Sequence, residues 1–476
     1  MHKTHQTTHI KLTALLLMAL ASTSTAEAQP TLLMYGNIDV ALDHVRKGSG
    51  NLAGNTYLSS VVPSLAATSA AQRGGSFTDT YQLVEGKLRN AYATPSSQRR
   101  VTPSIASQNA LGVRGSEDLG SGYNASFVLE GQFNSDTGAQ GGQDSRMWGR
   151  QAYVGLSTPL GEVRLGRQYT PMFYTFAAST VEALGASDLM GFGMVVNSLQ
   201  NRLDNAVSYW LKNGGFTASV AYSPNGGVAS RVSSLRAPVA VVDSPNGQIL
   251  GGASAGHEAS NQGRRGETAG VFINYAVKDG LNISMAWHAN KFGDAQVVDA
   301  LTAMKLVGLD RYQSVALGAK YVTIDSGTVW AMNLFNGKFA NDASSNQNSI
   351  QINVVSAGVK HPIRQLAVGA ELAYGQFTNF TKGKDMAVMF SGDYSLSKRT
   401  KLYTRLGWLR DIGGKAAALD TNTYPAPIGA ITPMVTGGPA PILTGFGSTE
   451  VPFFAGGGVN IDATARVFAV GVRHQF

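Results

Sequence analysis

Leu-Asn-Ile-Ser-Met-Ala-Trp-His-Ala-Asn, residues 281–290, places a large apolar side chain at alternate positions along most of its length. Because successive side chains of a β-strand point to opposite faces, this stretch would have one apolar and one polar face. The apolar face would carry Leu281, Ile283, Met285 and Trp287. A period of two sustained over this length predicts a strand and not a helix.

The same alternation recurs along the chain, at residues 123–134, 364–376 and 464–476 among others. These segments approach the ~9–11 residues that a tilted strand needs to cross a bilayer. Aromatic residues near their ends are typical of membrane interfaces. Those aromatics are Tyr153, Tyr209, Trp210, Tyr222, Tyr275, Trp287, Tyr321, Tyr374 and Trp408. A transmembrane barrel is therefore favoured over a soluble sandwich.

Short and long connections alternate between the segments, as in outer-membrane barrels with periplasmic turns and external loops. The predicted short turns are 115–122, 158–161, 212–215, 278–280, 325–327, 361–362 and 396–399. The predicted loops are 44–104, 135–146, 169–202, 224–266, 291–312, 337–348, 377–384 and 411–463. The predicted strands are 31–43, 105–115, 123–134, 147–157, 161–168, 203–211, 215–223, 267–277, 281–290, 313–323, 328–336, 348–358, 364–376, 384–394, 400–410 and 464–476. Sixteen antiparallel strands would close into an all-β transmembrane barrel with an aqueous lumen.

The N-terminus has the layout of a secretory signal peptide. Lys3 and Lys11 precede an apolar run, 12–21, which is too short to span a membrane as a helix. Ala26-Glu27-Ala28 is a small-x-small cleavage pattern. We therefore predict a signal peptide over 1–28 and a barrel domain over 29–476, and give the histidines of the removed segment no role.

Composition excludes several other classes of protein. The chain has no cysteine, so it has neither a disulfide framework nor thiol chemistry. Its formal charge is +8, but the basic residues are scattered, which argues against a nucleic-acid interface. Neither a Gly-x-Ser-x-Gly elbow nor a His-Glu-x-x-His motif is present, so we expect no enzyme, no metal and no cofactor.

Four motifs in order resemble the general porins of β-proteobacteria. They are the turn region 111–120, the strand pair 148–168, the turn 394–403 and the C-terminal 470–476. The resemblance implies a homotrimer of sixteen-stranded barrels in the Gram-negative outer membrane, surrounded by lipid and lipopolysaccharide. It implies a third loop folded into the lumen, a second loop latched to a neighbouring subunit, and Phe476 as the signal read by the barrel assembly machinery.

By the same resemblance, acids of the third loop would face a basic ladder across the pore. The loop acids are Glu182 and Asp188, and strand parity predicts inward bases at Arg114, Arg164, Lys320, Arg405 and Arg473. Arg150 and Arg202 are further candidates whose parity is ambiguous, and the inward acids would be Asp39, Glu130, Glu162 and Glu371. Each could instead be a solvated wall residue away from the constriction.

The predicted function is passive diffusion of ions and small hydrophilic solutes, with a mild preference for anions. The long first, fourth and eighth loops depart from the family pattern. They leave open a substrate-specific channel or a surface adhesin on a barrel scaffold.

Overall fold

A computed structural model confirms the predicted closed antiparallel barrel of sixteen strands. The structure describes residues 30–50, 78, 95–103, 105–141, 147–183, 185–186, 202–224, 267–278, 280–291, 311–340, 350–379, 381–416 and 463–476. The predicted signal peptide and Asp188 lie outside these residues. Within them, no helix is long and apolar enough to cross a membrane.

The sixteen barrel strands correspond in order to the predicted ones, and we number them along the chain. They are β1 Thr31–Lys47, β2 Ser96–Pro103 with Ala110–Gly120, β3 Tyr123–Phe133, β4 Gln151–Thr158, β5 Gly161–Tyr169, β6 Arg202–Asn213, β7 Phe216–Ser223, β8 Thr268–Ala276, β9 Leu281–Lys291, β10 Arg311–Val322, β11 Val329–Ala340, β12 Ile350–Ile363, β13 Leu366–Asn379, β14 Thr381–Ser395, β15 Thr400–Ala416 and β16 Thr464–Gln475. A two-residue strand, Gln140–Gly141, adds to the end of β3.

The first and last strands close the barrel. β1 and β16 pair antiparallel from Asn37 opposite Gln475 to Lys47 opposite Ala465. Beyond that ladder, the amide of Gly36 donates to the carbonyl of Phe476 at 3.1 Å, and the amide of Phe476 donates back to Gly36 at 3.1 Å. The closure leaves no open edge in this sheet, which satisfies the backbone within a bilayer.

β2 is interrupted at its centre, so the predicted continuous strand 105–115 is wrong. Pro103 ends the first segment, since proline has no N–H to donate to a ladder. The chain then leaves the sheet, and the amides of Ala106 and Ser107 donate to the carboxylate of Asp39 at 3.0 and 2.8 Å. A side chain of β1 thus replaces the missing strand partner.

Several predicted connections are shorter in the structure. The predicted seventh loop, 377–384, is almost entirely strand, because β13 runs to Asn379 and β14 begins at Thr381. The strands around the first and eighth loops also extend further than predicted, to Lys47 and Ala416. Polar composition indicated loops here, but strand pairing continues beyond the apolar band, where polar side chains meet water.

Two predicted turns are also displaced. The predicted turn 115–122 is strand up to Gly120, and the chain reverses at Ser121 and Gly122, both with positive φ. His361 and Pro362 belong to β12, and the turn follows at 364–365.

The outer face of the barrel carries the apolar side chains, as alternation predicts. Trp287, Ile283 and Met285 are 37%, 51% and 42% exposed, while Ser284 between them is 2% exposed. Five of the predicted interfacial aromatics are likewise exposed; they are Tyr209, Tyr222, Tyr275, Trp287 and Tyr321.

Two of the predicted interfacial aromatics point inward instead. Trp210 is 6% exposed, and its ring meets Tyr174 of the third loop edge-on at 4.7 Å. Tyr153 alternates with the exposed Val154 and lies beneath the guanidinium of Arg164 at 5.1 Å. Trp210 follows the outward Tyr209, so these two adjacent aromatics must face opposite sides of β6.

Candidate functional site

The third loop enters the barrel directly after β5. Thr170 caps helix α1, Pro171–Ala178, by accepting a hydrogen bond from the amide of Phe173 at 3.1 Å. Pro171 stands at the first helical position, where a missing N–H costs nothing. The helix packs along β8, β9 and β10 inside the barrel. The loop therefore narrows the lumen from one side.

Aromatic side chains hold α1 against the wall. The ring of Phe173 stacks on Tyr169 with centroids 4.0 Å apart, and Tyr174 packs on Trp210. Phe176 contacts Phe335 of β11 at 6.0 Å between centroids. The aromatic side chains of the loop are therefore used to pack α1 against the wall.

Hydrogen bonds then carry the loop across the next strands. Asn333 of β11 donates to the carbonyl of Ser179 at 2.7 Å and accepts from its hydroxyl. The amide of Ala186 donates to Glu371 of β13 at 3.1 Å. Glu371 is 4% exposed and so supports the loop from the wall instead of standing free in the lumen.

Glu182 forms a buried cluster with three wall residues, which we call the loop anchor: Glu182, Lys360, Asp393 and Arg405. Lys360 of β12 contacts Glu182 at 2.6 Å and Asp393 of β14 at 2.5 Å. Arg405 of β15 contacts Asp393 at 2.8 Å and Glu182 at 3.1 Å. Two carboxylates and two cations balance, so the anchor fixes the loop and contributes no net charge.

The opposite wall carries a second cluster, the arginine wall, which comprises Arg114, Arg150, Arg164 and Arg202. Its carboxylates are Glu130, which contacts Arg150, and Glu162, which binds Arg164 through two bonds of 2.8 Å. Glu130 also accepts from the hydroxyls of Tyr35 at 2.8 Å and Tyr169 at 3.3 Å. Four guanidiniums against two carboxylates leave this wall with a net charge of +2.

Aromatic rings orient every member of the arginine wall. Arg114 lies 5.4 Å from the centre of Tyr35, and Arg164 lies 4.7 Å from Trp210. Arg150 and Arg202 lie 5.8 and 4.9 Å from the ring of Tyr169. A ring attracts a cation without neutralising it, so the wall is held in place and stays positive.

Other predicted residues lie on the inner face but outside both clusters. Asp39 is fully buried, and the hydroxyl of Tyr403 donates to it at 2.5 Å, so this acid supports the interruption of β2 and does not face lumen water. Lys320 and Arg473 share the inward parity of their strands. The role of Lys320 and Arg473 in conduction stays a prediction. The same holds for Asp188, which lies outside the described residues.

Two members of the loop anchor, Lys360 and Asp393, were not predicted from the sequence. The predicted strand 348–358 ended too early to include Lys360. Asp393 lay within a predicted strand and had inward parity, but nothing local distinguished it from a solvated residue. Lys360 is identified by its contact with Glu182, and Asp393 by its contact with Arg405. Glu182 and Arg405 themselves are many strands apart in the sequence.

Phe476 lies on the outer face at the seam, where it is 37% exposed. Its ring occupies the space above Gly36, and a Cβ at position 36 would collide with that ring. Within the described part of the chain, no group of three or more His, Cys, Asp or Glu side chains could hold a metal.

The model of one protein family, described as Gram-negative porin, matches residues 13–413. Outer membrane porin protein 32 of Delftia acidovorans is 35% identical over 168 residues, which are 33% of this chain and 47% of that protein. An outer membrane porin protein of Bordetella pertussis is 33% identical over 30% of this chain and 39% of its own length. The aligned regions therefore span less than half the length of these two relatives.

Solved structures resemble the whole barrel. The anion-selective porin from Comamonas acidovorans has a TM-score of 0.56 and 19% identity, covering 94% of this chain and all of that one. OmpT of Vibrio cholerae, solved in a trimer form, has a TM-score of 0.50 and 10% identity over 94% of this chain and 99% of that one. At such identities the likeness concerns the fold alone.

Proposed function

Because the chain belongs to the Gram-negative porin family, we propose that it forms a water-filled channel for passive diffusion of ions and small hydrophilic solutes across the outer membrane. The observation that carries this proposal is the third loop, which lies inside a sixteen-stranded barrel and is tied to β11–β15. In its described residues, 170–183 and 185–186, the loop lies along the wall formed by β8–β15 and narrows the lumen there. Barrels of this size otherwise leave an open aqueous path.

The channel prefers anions mildly. Low-dielectric walls focus the field of the few charges that remain unbalanced in a narrow pore. The loop anchor balances its own charges, whereas the arginine wall keeps an excess of two cations. An anion passing between the loop and the wall is therefore attracted, and a cation is repelled.

The test is the reversal potential of the refolded protein in a planar bilayer under a potassium chloride gradient. We expect chloride to permeate roughly two to five times better than potassium at low salt. Arg114→Gln lowers that ratio, because Arg114 is the exposed member of the arginine wall. At about 1 M salt, where charges are screened beyond ~3 Å, the preference shrinks.

Lys291→Gln is the matched control for this measurement. Lys291 is an exposed cation on the outer face of β9, paired with Glu267 at 3.0 Å. Its loss leaves the lumen unchanged, so the permeability ratio stays at the wild-type value. A clear cation preference in the wild type refutes the selectivity proposal, and absence of conductance refutes the channel itself.

We further propose that the chain is exported by a cleaved signal peptide over 1–28 and works as a homotrimer among outer-membrane lipid and lipopolysaccharide. The exposed position of Phe476 at the seam supports its proposed recognition by the barrel assembly machinery. Deleting Phe476 tests that role, with the yield of folded barrel in the membrane as the readout.

A further inference from the structure

Two arginines face each other on the outside of the barrel. Arg46 of β1 and Arg466 of β16 are direct cross-strand partners in the pair that closes the sheet. Both side chains are exposed and share the outward parity of Leu42 and Phe468, which are 67% and 48% exposed. Like charges directly opposite each other weaken a strand pair, so this arrangement calls for a counter-charge.

The arginines border a groove that extends over four neighbouring strands, β1, β16, β15 and β14, which we call the outer basic groove. It has a volume of about 340 Å³. Its lining side chains include His44, Arg46 and Arg466 at one end and Trp408, Leu406 and Phe390 across its floor. None of its described lining residues is acidic, so the counter-charge is not supplied within the groove.

The position of the groove along the barrel fits the border between hydrocarbon and headgroups. Arg46 is one residue from the end of β1 that leads to the predicted long first loop, opposite the short turns. Toward the turns, most outward residues of β1 and β16 are apolar, as Leu42 and Phe468 illustrate; the exceptions are His44, which lines the groove, and His474. The outer face thus changes from apolar to basic over a short length of each strand.

We propose that the outer basic groove binds the phosphorylated headgroup of lipopolysaccharide in the outer leaflet. Arg46 and Arg466 offer two guanidiniums to one phosphate, and arginine forks match phosphate oxygens well. The apolar floor takes an acyl chain of the same molecule. A single amphiphile that carries a phosphate next to an acyl chain therefore matches both the arginines and the apolar floor. The inference rests on the outer-membrane orientation in the proposed function but not on conductance.

The experiment titrates the full-length protein in detergent with lipid A carrying both phosphates and with lipid A stripped of them. Native mass spectrometry gives the bound fraction for each lipid. We expect wild-type protein to prefer the phosphorylated form by about tenfold. The Arg46→Gln/Arg466→Gln double variant loses that preference, while Arg46→Lys/Arg466→Lys retains part of it.

Lys291→Gln is again the matched control, because it removes an outward cation beside the long loops on the far side of the barrel that Glu267 already balances. It binds both lipids as the wild type does. Equal binding of the two lipids by the wild type, which needs no variant to fold, overturns the proposal. So does unchanged phosphate preference in the double glutamine variant.

A second copy of the chain is the alternative occupant, and the same spectra report it. If the double variant falls apart into monomers while each monomer keeps the phosphate preference, the groove is an interface between copies and the lipid proposal is wrong. Conductance of the same samples separates the two proposals of function. A barrel that binds phosphorylated lipid but does not conduct refutes the channel and leaves the lipid site standing.

Discussion

In the loop anchor, Arg405 is 1% exposed and contacts two carboxylates, whereas in the arginine wall four guanidiniums share two carboxylates. Guanidiniums of both clusters lie over aromatic rings, and Arg405 lies 5.1 Å from the ring of Tyr403, so the clusters differ in charge balance and not in ring contacts. Arginine therefore has a different role in each cluster. When carboxylates fully balance a buried cation, its field is cancelled locally, and the ion pairs serve to hold two parts of the chain together. Ring contacts fix the position of a guanidinium without cancelling its charge. In this barrel one wall holds the loop, and we propose that the other sets the potential in the remaining gap.

The largest effect should come from breaking the anchor at Arg405. Arg405→Met leaves Glu182 and Asp393 buried with Lys360 as their one cation in the cluster, while the hydroxyl of Ser391 still donates to Glu182. Removing one member of a buried ion cluster costs roughly 3–5 kcal/mol, since the remaining charges stay desolvated. We expect a lower unfolding temperature, read from the heat-modified mobility of the barrel in gels, together with a noisier channel current.

A double variant sharpens that prediction. Adding Glu182→Gln to Arg405→Met removes one of the carboxylates left without its cation, so part of the lost stability should return. If the double variant is as unstable as the sum of its parts, Arg405 does not stabilise the protein through Glu182. Arg405 would then not hold the third loop to the wall.

A smaller effect is expected from Glu182→Gln alone. The loop keeps its contacts through Asn333 and Glu371, so the barrel remains folded. One negative charge is lost beside the lumen while Lys360 and Arg405 remain, which raises the preference for anions and loosens the constriction. Single-channel recording should show a higher conductance and a reversal potential shifted toward chloride. A shift toward potassium contradicts the balanced anchor.

The smallest effect is expected from Tyr35→Phe in the arginine wall. The change removes a hydroxyl that donates to Glu130 at 2.8 Å but keeps the ring beneath Arg114. The lost hydrogen bond to a charged group costs about 1.5–3 kcal/mol of stability at most. The permeability ratio should stay near the wild-type value, whereas Tyr35→Leu, which removes the ring, should lower it. Equal ratios in both variants would show that the ring does not position Arg114.

Strand alternation predicted the face of the barrel on which a residue lies, but it could not predict which residues contact one another. Alternation in β15 predicted the inward side of Arg405, but no sequence signal linked it to Glu182, 223 positions away. Lys360 was missed because the predicted strand ended at 358, five residues before the observed end at Ile363, and Asp39 looked like an ordinary inward acid. Each of these residues acquires its environment from a different strand or from the loop.

The sequence by itself determined the number of strands, their order and the apolar outer face, because period-two alternation and short turns are local properties of the chain. It also located the third loop between β5 and β6. Only the tertiary structure decided which inward charges neutralise one another and which remain exposed to the lumen. That choice depends on how sixteen strands align around the closed barrel and on where the loop comes to rest, and both are set by contacts between residues far apart in the chain.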